Sequence, residues 1–410
     1  MAVGGRRIRS SRELAGLGIS GRACARTRTR SSRPIRWGRA VVIFEFEVHA
    51  SRNPVPEADR QAILDAPIFG EVFTDHMITL RWDDERGWHD GRLEEFQSIA
   101  LPPSASVFHY GQEIFEGMKA YRQRGGSVAL FRPERNAARF IASARRLAMP
   151  ELPVETFVQA IELLVRQDRH WVPDGDGNSL YLRPFMIATQ PGLGFTLPSR
   201  SYLFCVIASP APGYFKAQTG PSALTVWLSE EYTRAAPGGT GAAKAGGNYA
   251  AAFLAQRQAV EQGCDQVVWL DAVEHRWVEE MGGMNLCFVQ QSAVGGSPTL
   301  MTPALTGTLL PGVTRDSLLQ LAASLGLGCE EGRISVEQWR KQCETGLITE
   351  VFACGTAAVI APVGHVRGVN GGWTIGDGRP GPVTMRLREE LLSIQHGRTP
   401  DELRWMHIVC

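Results

Sequence analysis

Two hydrophobic periodicities alternate along residues 41–410, and this alternation limits the possible folds more than any other feature of the sequence. Short apolar runs such as 77–82 have the length and composition of buried β-strands. Segments 136–149 and 154–168 instead place their apolar residues three and four positions apart, which is typical of amphipathic helices packed on a core. A last helix of this kind is predicted over 383–395. A chain with this pattern forms a mixed α/β or α+β protein.

A segment rich in proline and glycine, residues 209–221, divides the predicted elements into two groups. Pro184 is expected to end a strand that begins at residue 179, and Asn248 is expected to be the N-cap of a helix that begins at residue 249. Further strands are predicted over 127–131, 179–183, 201–207, 224–228, 266–270 and 286–289, and further helices over 249–262 and 314–325. We therefore expect a small N-terminal α/β domain over 41–213, an interdomain loop over 214–224 and a larger C-terminal α/β domain over 225–410.

Residues 1–40 differ from the rest of the chain in charge. They contain eleven arginines, no lysine and one acidic residue, Glu13, so their net charge is +10, whereas the remaining 370 residues carry −9. Three interpretations fit: sequence translated from an early start codon in a GC-rich gene, an organelle transit peptide, or a basic arm that binds nucleic acid or an anionic membrane. We favour the first, and so expect no nucleic-acid or membrane partner. The segment has little apolar surface to bury, so we expect disorder.

The eight cysteines predict neither a metal site nor a disulfide framework. None forms a C-x-x-C pair, and the two closest in sequence, Cys343 and Cys354, are 11 positions apart. Free thiols are typical of the reducing cytosol, so we expect a cytoplasmic protein without a bound metal. No uninterrupted apolar run approaches the roughly 18 residues that a membrane-spanning helix needs.

Lysine is rare in this chain, so each lysine can be considered separately. Of 43 basic residues only four are lysines: Lys119, Lys216, Lys244 and Lys341. Between Pro237 and Gly247, every residue except Thr240 and Lys244 is proline, glycine or alanine. These small neighbours leave an amine accessible for attack on a carbonyl group. The alternative is a solvated lysine in a glycine-rich surface loop. The surroundings of Lys119 and Lys341 predict exposed side chains.

The sequence that follows Lys244 favours the reactive amine. Tyr249 comes five residues later, and the adjacent carboxylates Glu279 and Glu280 precede a pair of glycines. Two loops that combine glycine with a hydroxyl residue follow, at 310–314 and 354–356, and the first opens a predicted helix. Backbone N–H groups at a helix N-terminus bind phosphate well. A lysine, a carboxylate and two phosphate-compatible loops together suit pyridoxal phosphate (PLP), an aldehyde cofactor that carries a phosphate.

The order of these motifs resembles the branched-chain amino acid aminotransferases of PLP fold type IV, in their bacterial form. The runs that carry the resemblance are KAGGNY (244–249), EMGGMN (280–285), LPGVTR (310–315) and FACGTA (352–357), and in the first half FHYGQEIFEGMKAY (108–121), FRPERNAARF (131–140), SLYLRPFMIAT (179–189) and SPAPGYF (209–215). The resemblance covers about residues 70–410. It implies a small open α/β sandwich, a larger pseudo-barrel α/β domain and a homodimer.

The resemblance also implies a reaction and a cofactor site. The reaction is reversible transfer of the amino group between L-leucine, L-isoleucine or L-valine and 2-oxoglutarate. Lys244 is implied to form the Schiff base with PLP and to move the proton, Tyr249 to bind the phenolic oxygen, and Glu280 to face the pyridine nitrogen. Glu279 is the rival for that role. Neighbours on a strand point to opposite faces, so only one of the two carboxylates can face the nitrogen, and the position in the motif favours Glu280. The phosphate is implied to be bound by Arg139, Val313, Thr314 and Thr356.

The implied substrate pocket is apolar with a few polar anchors. Its lining is implied to include Phe73, Tyr110, Phe115, Tyr181 and Tyr214. Arg183 is implied to bind the second carboxylate of glutamate and 2-oxoglutarate, and the backbone of Thr356 and Ala357, with Tyr110, the α-carboxylate. Three alternatives stay open: a D-amino acid aminotransferase, an aminodeoxychorismate lyase, and a binding protein on an inactive aminotransferase scaffold.

Overall fold

The computed structural model describes residues 44–213, 222–292 and 295–410, which fold into helices packed on two β-sheets. The expected mixed α/β class is therefore confirmed. The described residues belong to one compact unit, so the division into domains at 213 and 225 stays a prediction. The arginine-rich extension over 1–40 and most of the 214–224 loop lie outside the described residues. No helix in the described ranges is both long and apolar enough to cross a membrane.

The first sheet has nine strands among the described residues. They are β1 (Phe46–Val48), β2 (His76–Asp83), β3 (Gly87–Glu95), β4 (Glu113–Phe115), β5 (Met118–Arg122), β6 (Val128–Phe131), β7 (Ser179–Ala188), β8 (Ser201–Ala211) and, from the C-terminus, β18 (Met406–Ile408). The strand order is β1-β3-β2-β8-β7-β5-β6-β18. Strands β4 and β5 both pair with β7, β4 with residues 185–187 and β5 with residues 180–182. Neighbours are antiparallel except β1 and β3. The last strand of the chain thus completes the sheet that the first strands begin.

The second sheet closes on itself. Its strands are β9 (Leu224–Ser229), β10 (Gln266–Leu270), β11 (Val278–Met281), β12 (Met284–Gln290), β13 (Thr299–Pro303), β14 (Gly328–Gly332), β15 (Ile348–Gly355), β16 (Val359–Gly368) and β17 (Gly371–Thr374). The order β11-β10-β9-β16-β15-β12 is closed by a further pairing between β11 and β12. Closure gives the backbone groups of these strands partners on both sides, which leaves fewer open edges.

Helices pack on both sheets, and some of them hold candidate site residues. They are α1 (Glu57–Asp65), α2 (Val107–Tyr110), α3 (Pro133–Arg146), α4 (Val154–Gln167), α5 (Gly247–Ala250), α6 (Phe253–Glu261), α7 (Val313–Ser324), α8 (Val336–Glu344) and α9 (Pro382–Gln395). In the core beside the first sheet, the ring centroids of Phe140 on α3, Phe157 on α4 and Phe204 on β8 lie 5.4–5.9 Å apart. In the core beside the second sheet, Leu318 on α7 and Leu391 on α9 belong to one hydrophobic cluster.

Two sequence predictions about these elements are wrong. The strand expected to end before Pro184 continues to Ala188, because the Pro184 carbonyl accepts from the Glu116 N–H (2.7 Å) between β4 and β5. In an antiparallel ladder the missing N–H of Pro184 would point into that same gap, so the strand loses at most one hydrogen bond there. Asn248 is not a helix cap. Its amide donates to the carbonyls of Thr240 and Ala243 (both 2.9 Å), and the helix is split into α5 and α6.

Candidate active site

The backbone of Lys244 is held by hydrogen bonds to residues of α3 and β4, while its amine faces a tyrosine. The Lys244 N–H donates to Ser143 Oγ on α3 (2.9 Å), and its carbonyl accepts from the Phe115 N–H at the end of β4 (3.0 Å). The Lys244 Nζ donates to the Tyr249 hydroxyl (2.9 Å) and lies 4.8 Å from the centroid of the Phe115 ring. The structure therefore brings the predicted pair Lys244 and Tyr249 together, with Phe115 beside them.

Glu280 on β11 is a buried carboxylate with one oxygen bound and one open. Its Oε1 accepts from the Leu310 N–H (2.5 Å) and from Asn285 Nδ2 (3.2 Å). Its Oε2 lies 3.2 Å from Arg234 Nε but has no hydrogen-bond partner of suitable geometry among the described residues. Burial raises the pKa of Glu280 to about 7, although the charges of Arg234 and Lys244 lower it. The open oxygen can accept a hydrogen bond from a ring N–H.

Glu279, the rival carboxylate, faces the other way. Its Oε1 accepts from Thr308 Oγ1 (2.5 Å), and it lines a separate cavity together with Asp271 and Arg333. Burial raises the pKa of Glu279 as well. The charge of Lys244 lowers the pKa of Glu280, which places Glu280 beside the lysine.

The two predicted phosphate loops meet beside Glu280. The first backbone hydrogen bond of α7 runs from the Asp316 N–H to the Gly312 carbonyl, so the N–H groups of Val313 and Thr314 precede the helical ladder. The loop before α7 is tied to Glu280, since Asn285 Nδ2 also donates to the Leu310 carbonyl (3.0 Å). Thr356, in the turn between β15 and β16, lines the same small cavity as Val313 and Thr314.

Arg139 makes its closest contacts with a buried acid. Its Nε and Nη2 bind the two carboxylate oxygens of Glu116 (2.7 and 2.8 Å), and its Nη1 donates to the Pro311 carbonyl (3.3 Å). Burial raises the pKa of Glu116, but the charge and hydrogen bonds of Arg139 outweigh it, and the pKa is lowered overall. Arg139 thus links α3 to the loop that opens α7. Sequence reasoning missed Glu116, whose only signal is its place in the EG pair before Met118.

Lys119 is buried, contrary to the expectation of a solvated strand residue. It pairs with Tyr181 across β5 and β7, which directs both side chains to one face of the sheet. From there its Nζ donates to the Ala357 carbonyl (2.9 Å) in the turn that holds Thr356. Lys119 lines the cavity that Thr314 and Thr356 share. Lys341 is exposed, as expected, and Lys216 lies outside the described residues.

The predicted pocket residues are only partly assembled. The Arg183 guanidinium lies 4.8 Å above the Phe115 ring and donates to the Tyr181 hydroxyl (3.1 Å), so these three residues form one group, and Phe115 joins it to the amine of Lys244. The other members contact different parts of the chain. Phe73 stacks on Phe96 (5.0 Å), Tyr110 donates to the Leu193 carbonyl and packs on Phe195, and Tyr214 lies outside the described residues. Arg234, the partner of Glu280, was also missed by sequence reasoning.

Comparison with known proteins agrees with this geometry. The amino-transferase class IV family matches residues 113–366, more than half of the chain. A branched-chain-amino-acid aminotransferase of Mycolicibacterium smegmatis is 58% identical over 364 residues, which cover 88% of this chain and 98% of that protein. The Escherichia coli branched-chain amino acid aminotransferase has a solved structure that covers 81% of this chain and 99% of its own, with a TM-score of 0.64 at 29% identity. The PLP form of the Thermobaculum terrenum branched-chain amino acid aminotransferase covers 81% of this chain and 98% of its own, with a TM-score of 0.64 at 25% identity.

Proposed function

This chain belongs to the class IV aminotransferases, and from that premise we propose that it is a branched-chain amino acid aminotransferase of fold type IV. The reaction is reversible transfer of an amino group between L-leucine, L-isoleucine or L-valine and 2-oxoglutarate, with PLP as cofactor. The observation that carries the proposal is the contact of the Lys244 amine with Tyr249, in a site where the buried Glu280 keeps one oxygen open. Relatives with this name and the PLP form of the Thermobaculum terrenum enzyme support it.

The residues of the site fit PLP. The open Oε2 of Glu280 suits a protonated pyridine nitrogen, and the Tyr249 hydroxyl suits the phenolic oxygen. The N–H groups of Val313 and Thr314 at the start of α7, with the hydroxyls of Thr314 and Thr356, suit the phosphate. Arg139 is proposed to add its charge there from α3. When bound, PLP supplies an aldehyde for the amino group and a ring that accepts electrons from the α-carbon.

Lys244 is the proposed catalytic residue. Its Nζ would hold the aldehyde of PLP, and the same amine would act as the base that removes the proton from the α-carbon of the substrate. The hydrogen bond with Tyr249 and the fixed backbone hold this amine in position. Positioned acid–base groups typically accelerate such steps by about 10²–10⁴-fold. In the second half of the reaction the amino group passes to 2-oxoglutarate, which becomes glutamate.

The proposed pocket serves two kinds of side chain. Phe115 and Tyr181 supply apolar surface for a branched aliphatic chain, and Arg183 beside them supplies a cation for the second carboxylate of glutamate. The backbone of Thr356 and Ala357 is proposed to bind the α-carboxylate. We also propose a homodimer in the cytoplasm. Support comes from the exposed side chains next to Tyr110, among them Leu193, Phe195 and Leu197, which are large apolar groups that a second subunit can cover.

The assignment of Lys244 is tested by the variant K244A. We expect the purified variant to lose the visible absorbance of covalently bound PLP and, with it, transamination of L-leucine with 2-oxoglutarate. K341A, which changes an exposed lysine on α8, is the matched control and should keep both. Retention of both properties in K244A would refute the assignment. In the same assay, D-alanine in place of L-leucine as amino donor separates this enzyme from a D-amino acid aminotransferase.

A further inference from the structure

Alternate residues of β4 and β5 form a row that faces the second sheet. Phe115 packs on Tyr249, a side chain at Gly117 would collide with the Tyr181 hydroxyl, and Lys119 reaches Ala357. Glu113 is the acidic member of this row, two residues before Phe115. The proposed mechanism gives it no role, although it shares a sheet face with the pocket.

Glu113 contacts the loop that carries Lys244. A Cβ added at Gly246 would lie 1.5 Å from Glu113 Oε1, so the carboxylate occupies the space that any side chain at 246 would take. The backbone N–H of Gly246 faces the same carboxylate and lowers its pKa. The Phe115 N–H also donates to the Lys244 carbonyl, so β4 contacts the lysine loop at two points. The half-buried carboxylate of Glu113 therefore lies at the wall of the active site.

Glu113 also shares a sheet face with Arg183. In the antiparallel pair β4 and β7, Glu113 lies opposite Ile187 and Phe115 opposite Phe185, so Arg183 follows on the same face. Burial raises the pKa of Glu113, and the positive charge of Arg183 is the largest influence that opposes it. Arg183 has an unused donor, since its Nε is buried and has no hydrogen-bond partner among the described residues. A cation with a free donor thus acts on a protein carboxylate and is also the proposed partner of a substrate carboxylate.

We propose that Glu113 is a specificity-determining residue that sets the balance between monocarboxylate and dicarboxylate substrates. The inference rests on the proposed function, in which Arg183 binds the second carboxylate of glutamate and 2-oxoglutarate. With a branched aliphatic chain in the pocket, Glu113 supplies the negative charge that balances Arg183. With a dicarboxylate, the substrate carboxylate and Glu113 compete for the same cation. Glu113 therefore lowers the affinity for dicarboxylates relative to branched monocarboxylates.

The test compares two unreactive ligands on the PLP-loaded enzyme. Glutarate represents the dicarboxylates and 4-methylvalerate the branched monocarboxylates, and the absorbance of the bound cofactor reports the dissociation constant of each. E113Q keeps an oxygen for the Gly246 N–H but removes the charge. We expect the affinity for glutarate, relative to 4-methylvalerate, to rise about three- to tenfold. An unchanged ratio overturns the proposal, because a purely structural role of Glu113 would affect both ligands alike.

Two further variants make the outcome specific. E155Q removes an exposed carboxylate on α4 and should leave the ratio of the two affinities unchanged. If E155Q shifts this ratio as much as E113Q does, overall charge explains the effect and the proposal is overturned. R183Q should weaken glutarate binding selectively. If R183Q leaves glutarate binding unchanged, the proposed role of Arg183 is wrong. If R183Q weakens it while E113Q keeps the wild-type ratio, only the inference about Glu113 is wrong.

Discussion

At the scale of single residues, Lys119 carries a charge that the folded chain disfavours. Its pKa is lowered to about 8, first by burial and then by the charge of Arg388. Between that pH and the ordinary lysine value of 10.5, the folded chain binds fewer protons at this site than the unfolded chain. The free energy of unfolding therefore rises with pH over that window. Replacement of Lys119 by methionine removes this contribution.

For K119M we expect a weaker pH dependence of stability. Between about pH 7.5 and about pH 9.5, the rise in the free energy of unfolding should be smaller than in the wild type by about 1–2 kcal/mol. Urea unfolding of the cofactor-free chain at the two pH values measures this difference. K341M, at an exposed lysine, should keep the wild-type rise. The same rise in K119M as in the wild type would contradict the titration of Lys119 in this range.

The contact between the lysine and the tyrosine of the proposed cofactor site could be predicted because both belong to one contiguous motif. Lys244 and Tyr249 lie five positions apart, and the structure brings them into contact. The charged partners of the site could not be predicted in this way. Glu116 and Arg234 belong to strands and loops remote from their partners, and a single sequence does not show which distant charges will be buried together. The burial of Lys119 could not be predicted for the same reason.

At the scale of elements, α3 links the lysine to the rest of the site. Ser143 on this helix donates its hydroxyl hydrogen to the Arg139 carbonyl (3.0 Å) and accepts from the Lys244 N–H. In S143A the Lys244 N–H loses its acceptor inside the protein. We expect a loss of about 1–2 kcal/mol in the free energy of unfolding. We also expect a lower kcat, because the loop that carries Lys244, the proposed catalytic residue, is held less firmly.

Urea unfolding and steady-state kinetics of S143A and S324A test the role of α3. Ser324 on α7 also donates to a carbonyl of its own helix, that of Leu321 (2.8 Å), but its contact stays within that helix. S324A should therefore have the smaller effect on both stability and kcat. If the two variants lose the same stability and S143A keeps the wild-type kcat, the contact with Lys244 does not position the lysine.

The existence and type of most elements could be predicted from periodicity, but their ends could not. The strand that contains Pro184 is longer than predicted because the proline falls at the gap between β4 and β5, and a gap in a neighbouring strand is a property of the folded sheet. The helix predicted over 249–262 is split because Asn248 binds the preceding loop instead of capping. Both errors arise where tertiary contacts override local sequence signals.

At the scale of the whole molecule, the C-terminal strand ties the end of the chain to the first sheet. Trp405, directly before β18, is buried against Phe131 (5.6 Å between ring centroids) and the guanidinium of Arg132 (5.1 Å). We expect W405A to lower the free energy of unfolding by about 3–5 kcal/mol. Because the described residues belong to one compact unit, circular dichroism and tryptophan fluorescence should give coincident unfolding transitions. Two separate transitions would contradict this expectation.

The position of β18 also has a consequence for synthesis on the ribosome. Strand β6 leaves the ribosome well before its partner at residues 406–408. The whole second sheet is translated between them, so the edge of β6 stays without its native partner until residues 406–408 have been made. A nascent chain that stalls anywhere in the second sheet therefore exposes an open strand edge, and such edges are where chains aggregate. For this protein, the first sheet to be started is therefore completed only after the second sheet has been made.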